Sequence, residues 1–355
     1  MERTERAIHI AEDTKVEKAK THVPRPGAGV GAAIAAGVAS ESSLPAWQSI
    51  SLALIYMFGC ISFFLLIRYS KSLVKRGLLH YDDASAVFFT ELLKWLFSVS
   101  AMYYRTGKFL PVSVFREGTW RVGIYFAVPS GIYAVYNNLT YFNLSAFDPG
   151  TYQVFMQTRV LFTGVLYTWI LSKTLTNRKW MALILLTFGV AAKYLTFNMQ
   201  IDYRVLFMLL QASLSAFAGV YNEFLLKRDV SMDVNEQNFF MYSFALMFNL
   251  GWGLLTNAEY YTSGQVFGSM SGIVFVIVVN GALIGIVTSL ILKFINVIVK
   301  AFASACEVLL TAVLAALFLG EALTLQDVVA CSIVMVSIYY YYTAPAVDKE
   351  KNDSK

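Results

Sequence analysis

The sequence predicts an all-α polytopic membrane protein of ten transmembrane helices, arranged as two inverted five-helix repeats. Three observations predict it. Hydrophobic residues make up 57% of the 355-residue chain and charged residues 14%, against about 25% charge in a soluble domain, and the mean hydropathy is +0.57. Apolar segments of membrane-crossing length recur along the chain. The second half of the chain also echoes the first.

The apolar segments lie near 49–68, 84–104, 119–142, 149–172, 178–197, 203–227, 236–256, 271–295, 299–320 and 325–343. Each is long enough to cross a hydrocarbon core of about 30 Å. Ten crossings put both termini on one side. With that side inside, the inner connections and tails hold 20 Lys and Arg residues, while the outer connections hold 6: Arg68, Lys71, Lys75, Arg76, Lys193 and Arg204. The positive-inside rule therefore places both termini in the cytosol. Residues 1–48 mix charges of both signs with the run GAGVGAAIAAGVAS. They lack the Leu-rich core of a signal peptide and read as a flexible cytosolic tail; residues 346–355 form a second tail. Tyr339 to Tyr342 end the last segment as an interfacial aromatic belt.

Shifting the chain by 148 residues lays ILSKTLTNRKWMA, from Ile170, over FLGEALTLQDVVA, from Phe318. Leu171, Leu175, Thr176 and Ala182 meet Leu319, Leu323, Thr324 and Ala330, at the ends of the fourth and ninth segments. Five crossings is an odd number, so a repeat of five (49–200 and 201–345) must be inverted in the membrane. Inverted repeats are the build of alternating-access transporters, with the substrate at midplane between the halves.

Other classes find no support. The net charge of +5 is spread over loops and tails, which is not a nucleic-acid signal. Cys60, Cys306 and Cys331 lie in apolar runs without metal-like spacing and read as packing residues. The three histidines are scattered, so neither metal nor cofactor is expected. There is no His-Glu-x-x-His, nucleophile elbow or Gly-rich phosphate loop, so no enzyme is expected.

Chemistry concentrates between Tyr133 and Thr176. After a turn at Asp148-Pro149-Gly150, a helix carries Arg159 about ten residues in, roughly 15 Å along its axis. A cation at that depth is costly and should face a polar interior. Two readings stand for it: contact with an anionic substrate, or a structural salt bridge to Glu307 or Glu91. The 148-residue shift pairs Tyr152 with Lys300 and Arg159 with Glu307, each pair of positions two turns apart on one helix face. Lys300 reads as a ligand cation or as an interfacial snorkelling lysine, with Lys293 one or two turns earlier. Glu91 and Lys94 are one turn apart and can neutralise each other or meet the substrate. Asn137 and Asn138 are amides in an apolar helix and must find helix or ligand partners.

The residues also carry a resemblance. TELLK at Thr90–Lys94, YAVYNNLTY at Tyr133–Tyr141, DPGTYQVFMQTRV at Asp148–Val160, SAFAGVYNEFLLK at Ser215–Lys227, NFFMY at Asn238–Tyr242 and VKAFASA at Val299–Ala305 resemble the nucleotide-sugar transporters of the drug/metabolite transporter superfamily. The subgroup is that of CMP-sialic acid, UDP-galactose and UDP-N-acetylglucosamine carriers, and the resemblance spans about 48–343. It implies the ten-helix drug/metabolite transporter fold in a Golgi or endoplasmic reticulum membrane. It implies exchange of a cytosolic nucleotide sugar for a lumenal nucleoside monophosphate. The sugar nucleotide would be a UDP-sugar (UDP-GlcNAc, UDP-GalNAc or UDP-galactose) or CMP-sialic acid. The resemblance puts Asn137, Ser215, Asn238 and Tyr242 near the nucleoside, Tyr152 beside the sugar or ribose, and Lys94, Arg159 and Lys300 around the phosphates. Glu91, Tyr133, Asn138, Gln153, Lys293 and Ser304 complete the expected substrate-binding set. Two positions depart from the subgroup: Arg159 where Lys is usual, and Tyr136 where Gln is usual. The resulting Tyr-Asn-Asn is similar to the Phe-Tyr-Asn-Asn of the GDP-mannose branch. The partners expected are these small molecules and the bilayer, with no nucleic acid and a homodimer left open. The rival readings are a carrier of another small anionic metabolite on the same fold and a non-transporting membrane partner protein.

Overall fold

The computed structural model describes residues 42–79, 81, 83–109, 123–146, 149–192, 203–228, 232–268, 270–319 and 324–344. Within them the chain is built from α1 (Ala46–Lys75), α2 (Asp83–Thr106), α3 (Ala127–Ala146), α4 (Pro149–Met156), α5 (Arg159–Ile170), α6 (Asn177–Ala192), α7 (Val205–Arg228), α8 (Val234–Thr262), α9 (Gln265–Gly268), α10 (Gly272–Phe294), α11 (Val297–Leu319) and α12 (Leu325–Tyr342). A helix lies in each of the ten apolar segments, and α9 is a single turn between two of them. Helices α1, α2, α7, α10 and α12 are long and apolar enough to cross a bilayer. Trp169, Leu255 and Leu325 are 75%, 84% and 79% exposed, an apolar surface that fits lipid rather than water. The chain is a multi-pass membrane protein.

Local chemistry sets the helix ends. α1 stops in a Schellman turn: Gly77 adopts φ +70°, its N–H bonds Val74 O, and Leu78 N–H reaches back to Leu73 O at 3.0 Å. Asp233 caps α8 by accepting from Asn235 N–H at 2.8 Å and also pairs with Arg105. Thr324 and Asp327 form a reciprocal capping box on α12. Asn296 Oδ1 accepts from Val299 N–H at 2.8 Å at the start of α11.

One expectation is corrected. The fourth apolar segment is not one continuous helix, because it breaks at Gln157 and Thr158 into α4 and α5. There Gln157, Thr158 and Val160 N–H groups bond the carbonyls three residues back, and Thr158 Oγ1 donates to Phe155 O at 2.6 Å. A threonine hydroxyl competing for the backbone carbonyl loosens the helical ladder at that point. Arg159 therefore opens α5 instead of sitting mid-helix. α1 begins at Ala46, and just before it both Ser42 and Ser43 donate to Phe294 O at the end of α10. The Asp148 part of the expected turn, the 200/201 boundary, residues 1–41 and the tail 346–355 lie outside the described residues. Pro149 and Gly150 open α4, where proline's fixed φ suits the first helical position.

The packing interleaves the two halves of the chain. α1 packs on α10 and α11, whereas α7 packs on α3, α4 and α5. α2 packs on α10, and α8 on α3; α2 meets α8, and α6 meets α12. Small residues bring these helices close. A methyl group on Gly189 would lie 2.8 Å from Ile333 across the α6–α12 contact, and one on Gly59 would lie 3.0 Å from Ile284 between α1 and α10. Asn280 Nδ2, inside α10, donates to Ser62 Oγ of α1 at 2.7 Å, which keeps an amide satisfied between apolar helices.

Candidate functional site

The interleaving leaves a two-lobed cavity among α1, α3, α5, α7 and α11 on one side and α2, α3, α8 and α10 on the other. The first lobe, of about 240 Å³, is lined by Tyr56, Tyr133, Tyr136, Gln157, Arg159, Ser215, Lys300 and Ser304, among others. The second, of about 290 Å³, is lined by Glu91, Lys94, Asn222, Tyr242, Asn249 and Ser289, and it shares Tyr133 and Lys300 with the first.

Charge is divided unequally between the lobes. In the second, Lys94 Nζ donates to Glu91 Oε1 at 2.6 Å and lies 4.6 Å from the Tyr242 ring centroid, so the cation is neutralised and seated on an aromatic face. Tyr242 is fixed in turn by Ser289 Oγ at 3.1 Å. Two acceptors on this wall, Glu91 Oε2 and Asn222 Oδ1, are buried without a donor among the described residues. They are positioned for a ligand that brings N–H or O–H groups. In the first lobe, Arg159 and Lys300 come from α5 and α11. Among the described residues neither forms an ion pair with a carboxylate, and Arg159 meets neither Glu307 nor Glu91. The Lys300 ammonium lies 6.0 Å from the Tyr56 ring centroid, and Tyr56 OH bonds Ser304 Oγ at 3.1 Å. The first lobe thus has two cations with open donors, and the second has a balanced pair with open acceptors.

Of the residues nominated from sequence, Glu91, Lys94, Tyr133, Arg159, Ser215, Tyr242, Lys300 and Ser304 come together on this wall. Three lie elsewhere. Tyr152 is buried behind the first lobe, where its hydroxyl accepts from Gln211 Nε2 at 3.0 Å. Gln211 Oε1 accepts from Asn143 Nδ2 at 2.8 Å, continuing the network into α3. Lys293 points away, donating to Met232 O at 2.8 Å and Gln237 Oε1 at 2.6 Å. Asn238 is 2% exposed and lines neither lobe. Asn137, Asn138 and Gln153 sit in α3 and α4, with side chains outside the described ones. Sequence reasoning missed Tyr56, Gln157, Asn222 and Asn249. Polar groups inside apolar segments are the signal that could have found them.

Gly285 tightens the second lobe. A methyl group there would lie 2.5 Å from Lys94 Cδ, and the flexible lysine would yield before the backbone did. Gly285→Ala is therefore expected to shift the melting temperature by only a few degrees while pushing Lys94 off Glu91 and Tyr242. An anionic ligand seated against Lys94 should bind about tenfold more weakly, which corresponds to about 1.4 kcal/mol. Thermal shift of the purified protein at graded ligand concentration checks this.

A multi-pass helical protein enclosing a polar, cation-bearing cavity between interleaved halves has the build of a solute carrier. The sequence profile of the family described as "Nucleotide-sugar transporter" matches residues 46–342, and the chain belongs to that family: it is a membrane transporter of nucleotide sugars. It is 36% identical over 318 residues to a protein named UDP-galactose transporter senju from Drosophila melanogaster, covering 76% of this chain and 80% of the relative. It is 32% identical over 286 residues to CMP-sialic acid transporter 2 of Oryza sativa subsp. indica, covering 78% and 79%. A solved crystal structure only 14% identical superposes with a TM-score of 0.60 over 82% of this chain and 96% of that one, so the two share a fold.

Proposed function

We propose that the protein is an antiporter of the Golgi or endoplasmic reticulum membrane, with both termini cytosolic. It exchanges a cytosolic nucleotide sugar for a lumenal nucleoside monophosphate by alternating access between inverted five-helix halves, 49–200 and 201–345. The substrate is a UDP-sugar such as UDP-GlcNAc, UDP-GalNAc or UDP-galactose, or CMP-sialic acid. The relatives named for UDP-galactose and CMP-sialic acid transport support a pyrimidine base. The inverted repeat is supported by the packing, because exchanging each crossing helix for its counterpart in the other half maps the pairs onto themselves. α1 on α10 and α11 becomes α7 on α3 and on α4 and α5; α2 on α10 becomes α8 on α3.

The carrying observation is the pair Arg159 and Lys300 in one lobe, without carboxylate partners among the described residues. Two open cations match the roughly two negative charges of a monophosphate or of a sugar nucleotide's diphosphate. Charge-assisted hydrogen bonds, bidentate at the guanidinium, would hold the phosphates there. The open acceptors of Glu91 and Asn222 would meet hydroxyl or N–H groups in the second lobe. Closing the cavity empty would bury unpaired charge, at a cost of several kcal/mol per ion. Ligand offsets that cost, so the loaded carrier crosses between states and the empty one rarely does. Transport then becomes exchange.

A thermal-shift panel of nucleoside mono- and diphosphates on purified protein tests the reading. At a hundredfold excess over Kd, a ligand stabilises by about 2.7 kcal/mol, expected as a rise of about 5 °C or more. Uridine or cytidine nucleotides should give it and adenine nucleotides should not. A flat panel would overturn the nucleotide reading, and a guanine-selective one the pyrimidine reading.

A further inference from the structure

At the end of the bundle where α7, α10 and α12 finish and α5 turns into α6, a separate cavity of about 540 Å³ opens. Its wall carries Lys173, Lys179, Lys227 and Lys293 and, among the described residues, no carboxylate. Each helix end contributes separately. Lys173 sits in the α5–α6 connection, Lys179 in the first turn of α6, Lys227 at the end of α7 and Lys293 at the end of α10. This cavity lies beyond the central one. Gly219 of α7 lines the central lobe, and Lys227, eight residues further on, lines this cavity, about 12 Å along the helix at 1.5 Å per residue.

We propose that this cavity is a second anion site, distinct from the central one, that binds a phosphate-bearing group. Lys173, Lys179 and Lys293 set like charges around a concave, low-dielectric wall, where they repel one another and focus a positive potential into the space between them, while Lys227 is balanced by Glu223. A group with several anionic oxygens relieves that repulsion. The donors are in place. Lys227 uses two of its three N–H groups, on Glu223 Oε1 at 2.6 Å and on Ile295 O, which leaves one for the cavity. The Lys179 ammonium is held 4.7 Å from the Tyr341 ring centroid, and Lys173 is exposed at the mouth. Lys293, bonded to Met232 O and Gln237, adds field more than contact. Glu223, set behind this wall, already takes Lys227 and Val297 N–H. Phosphate chemistry of this kind has two sources, a soluble diphosphate and the phosphomonoester headgroup of a lipid.

Pyrophosphate titrated against the Arg159→Ala protein in phosphatidylcholine nanodiscs, read by thermal shift, isolates this site from the central cavity. A saturable rise in melting temperature is expected there. Lys173→Gln with Lys179→Gln should weaken the apparent Kd at least about tenfold, the scale of one charge-assisted hydrogen bond, and Lys173→Arg with Lys179→Arg should restore it. Both positions lie at the edge of the bundle, so the variants should keep their fold. Adding phosphatidic acid to the nanodiscs separates the sources: it removes the pyrophosphate response if a lipid headgroup fills the site, and leaves it if the site takes a soluble diphosphate. Loss of the response in Arg159→Ala alone would overturn the proposal, as would an unchanged response in the double glutamine variant. Neither outcome touches the transport reading, which rests on Arg159 and Lys300.

Discussion

Replacing Arg159 with alanine is expected to reduce exchange of external nucleotide sugar for internal monophosphate in proteoliposomes to background. The guanidinium lines the first lobe beside Lys300 and, among the described residues, forms no ion pair with a carboxylate, so on the proposed reading its role is toward the ligand. Removing one partner of a desolvated charged contact costs about 2–5 kcal/mol, a fall of roughly 30-fold to more than 1,000-fold. Lys300→Ala should do the same, because on the proposed reading the two cations act on one anion. Arg159→Lys retains the charge and loses the planar fork, and an intermediate rate is expected. Glu307→Gln should be milder than either, since Glu307 lies on α11 without an ion pair to Arg159. Wild-type rates in Arg159→Ala would sink the reading, provided the protein reaches the membrane at normal abundance and melts at its usual temperature.

Much of this architecture is legible in the sequence for one physical reason. A bilayer forces each crossing to be about 20 apolar residues, so the helices announce themselves by length, and a charge or amide inside one marks an interior. That logic points to Arg159, Lys300, Glu91 and Lys94. It fails where local hydrogen bonding decides the outcome. The break at Gln157 and Thr158 rests on a hydroxyl competing for Phe155 O, and no hydropathy pattern carries it. It also fails for side-chain direction. Tyr152 shares a helix face with Arg159 in a continuous helix, but the break turns it to Gln211. Lys293 is one or two turns before Lys300, but Ile295 and Asn296 separate their helices, and Lys293 reaches a different cavity. Tyr56 was hidden because a tyrosine in an apolar run looks like packing until Ser304 and Lys300 are found beside it.

The largest effect on stability is expected at Glu223, which is not a cavity residue. It is 1% exposed. Its two oxygens tie three segments together: Oε1 accepts from Lys227 Nζ on its own helix, Oε2 accepts from Val297 N–H at 2.6 Å, and Lys227 also donates to Ile295 O. α7 is thereby fixed to the junction between α10 and α11, where Gly219 leaves only 3.3 Å between an added methyl group and Val297. The carboxylate also lies at the N-terminus of α11, where the helix dipole favours negative charge. Glu223→Ala leaves a lysine ammonium without its carboxylate and a buried backbone N–H without a partner, at a cost of about 3–5 kcal/mol. At roughly 2–4 °C per kcal/mol for a chain of this size class, the melting temperature of the detergent-solubilised protein should fall by about 10 °C. Glu223→Gln should fall less, since its carbonyl keeps one of the two acceptor roles. Glu223→Gln combined with Lys227→Met should recover much of the loss, because no cation is then left without its carboxylate. A Glu223→Ala protein that melts within about 2 °C of wild type would show that the α7–α11 junction is held by packing alone. Lys300 is the fourth residue of α11, so a loosened junction should also lower exchange, through the position of that lysine.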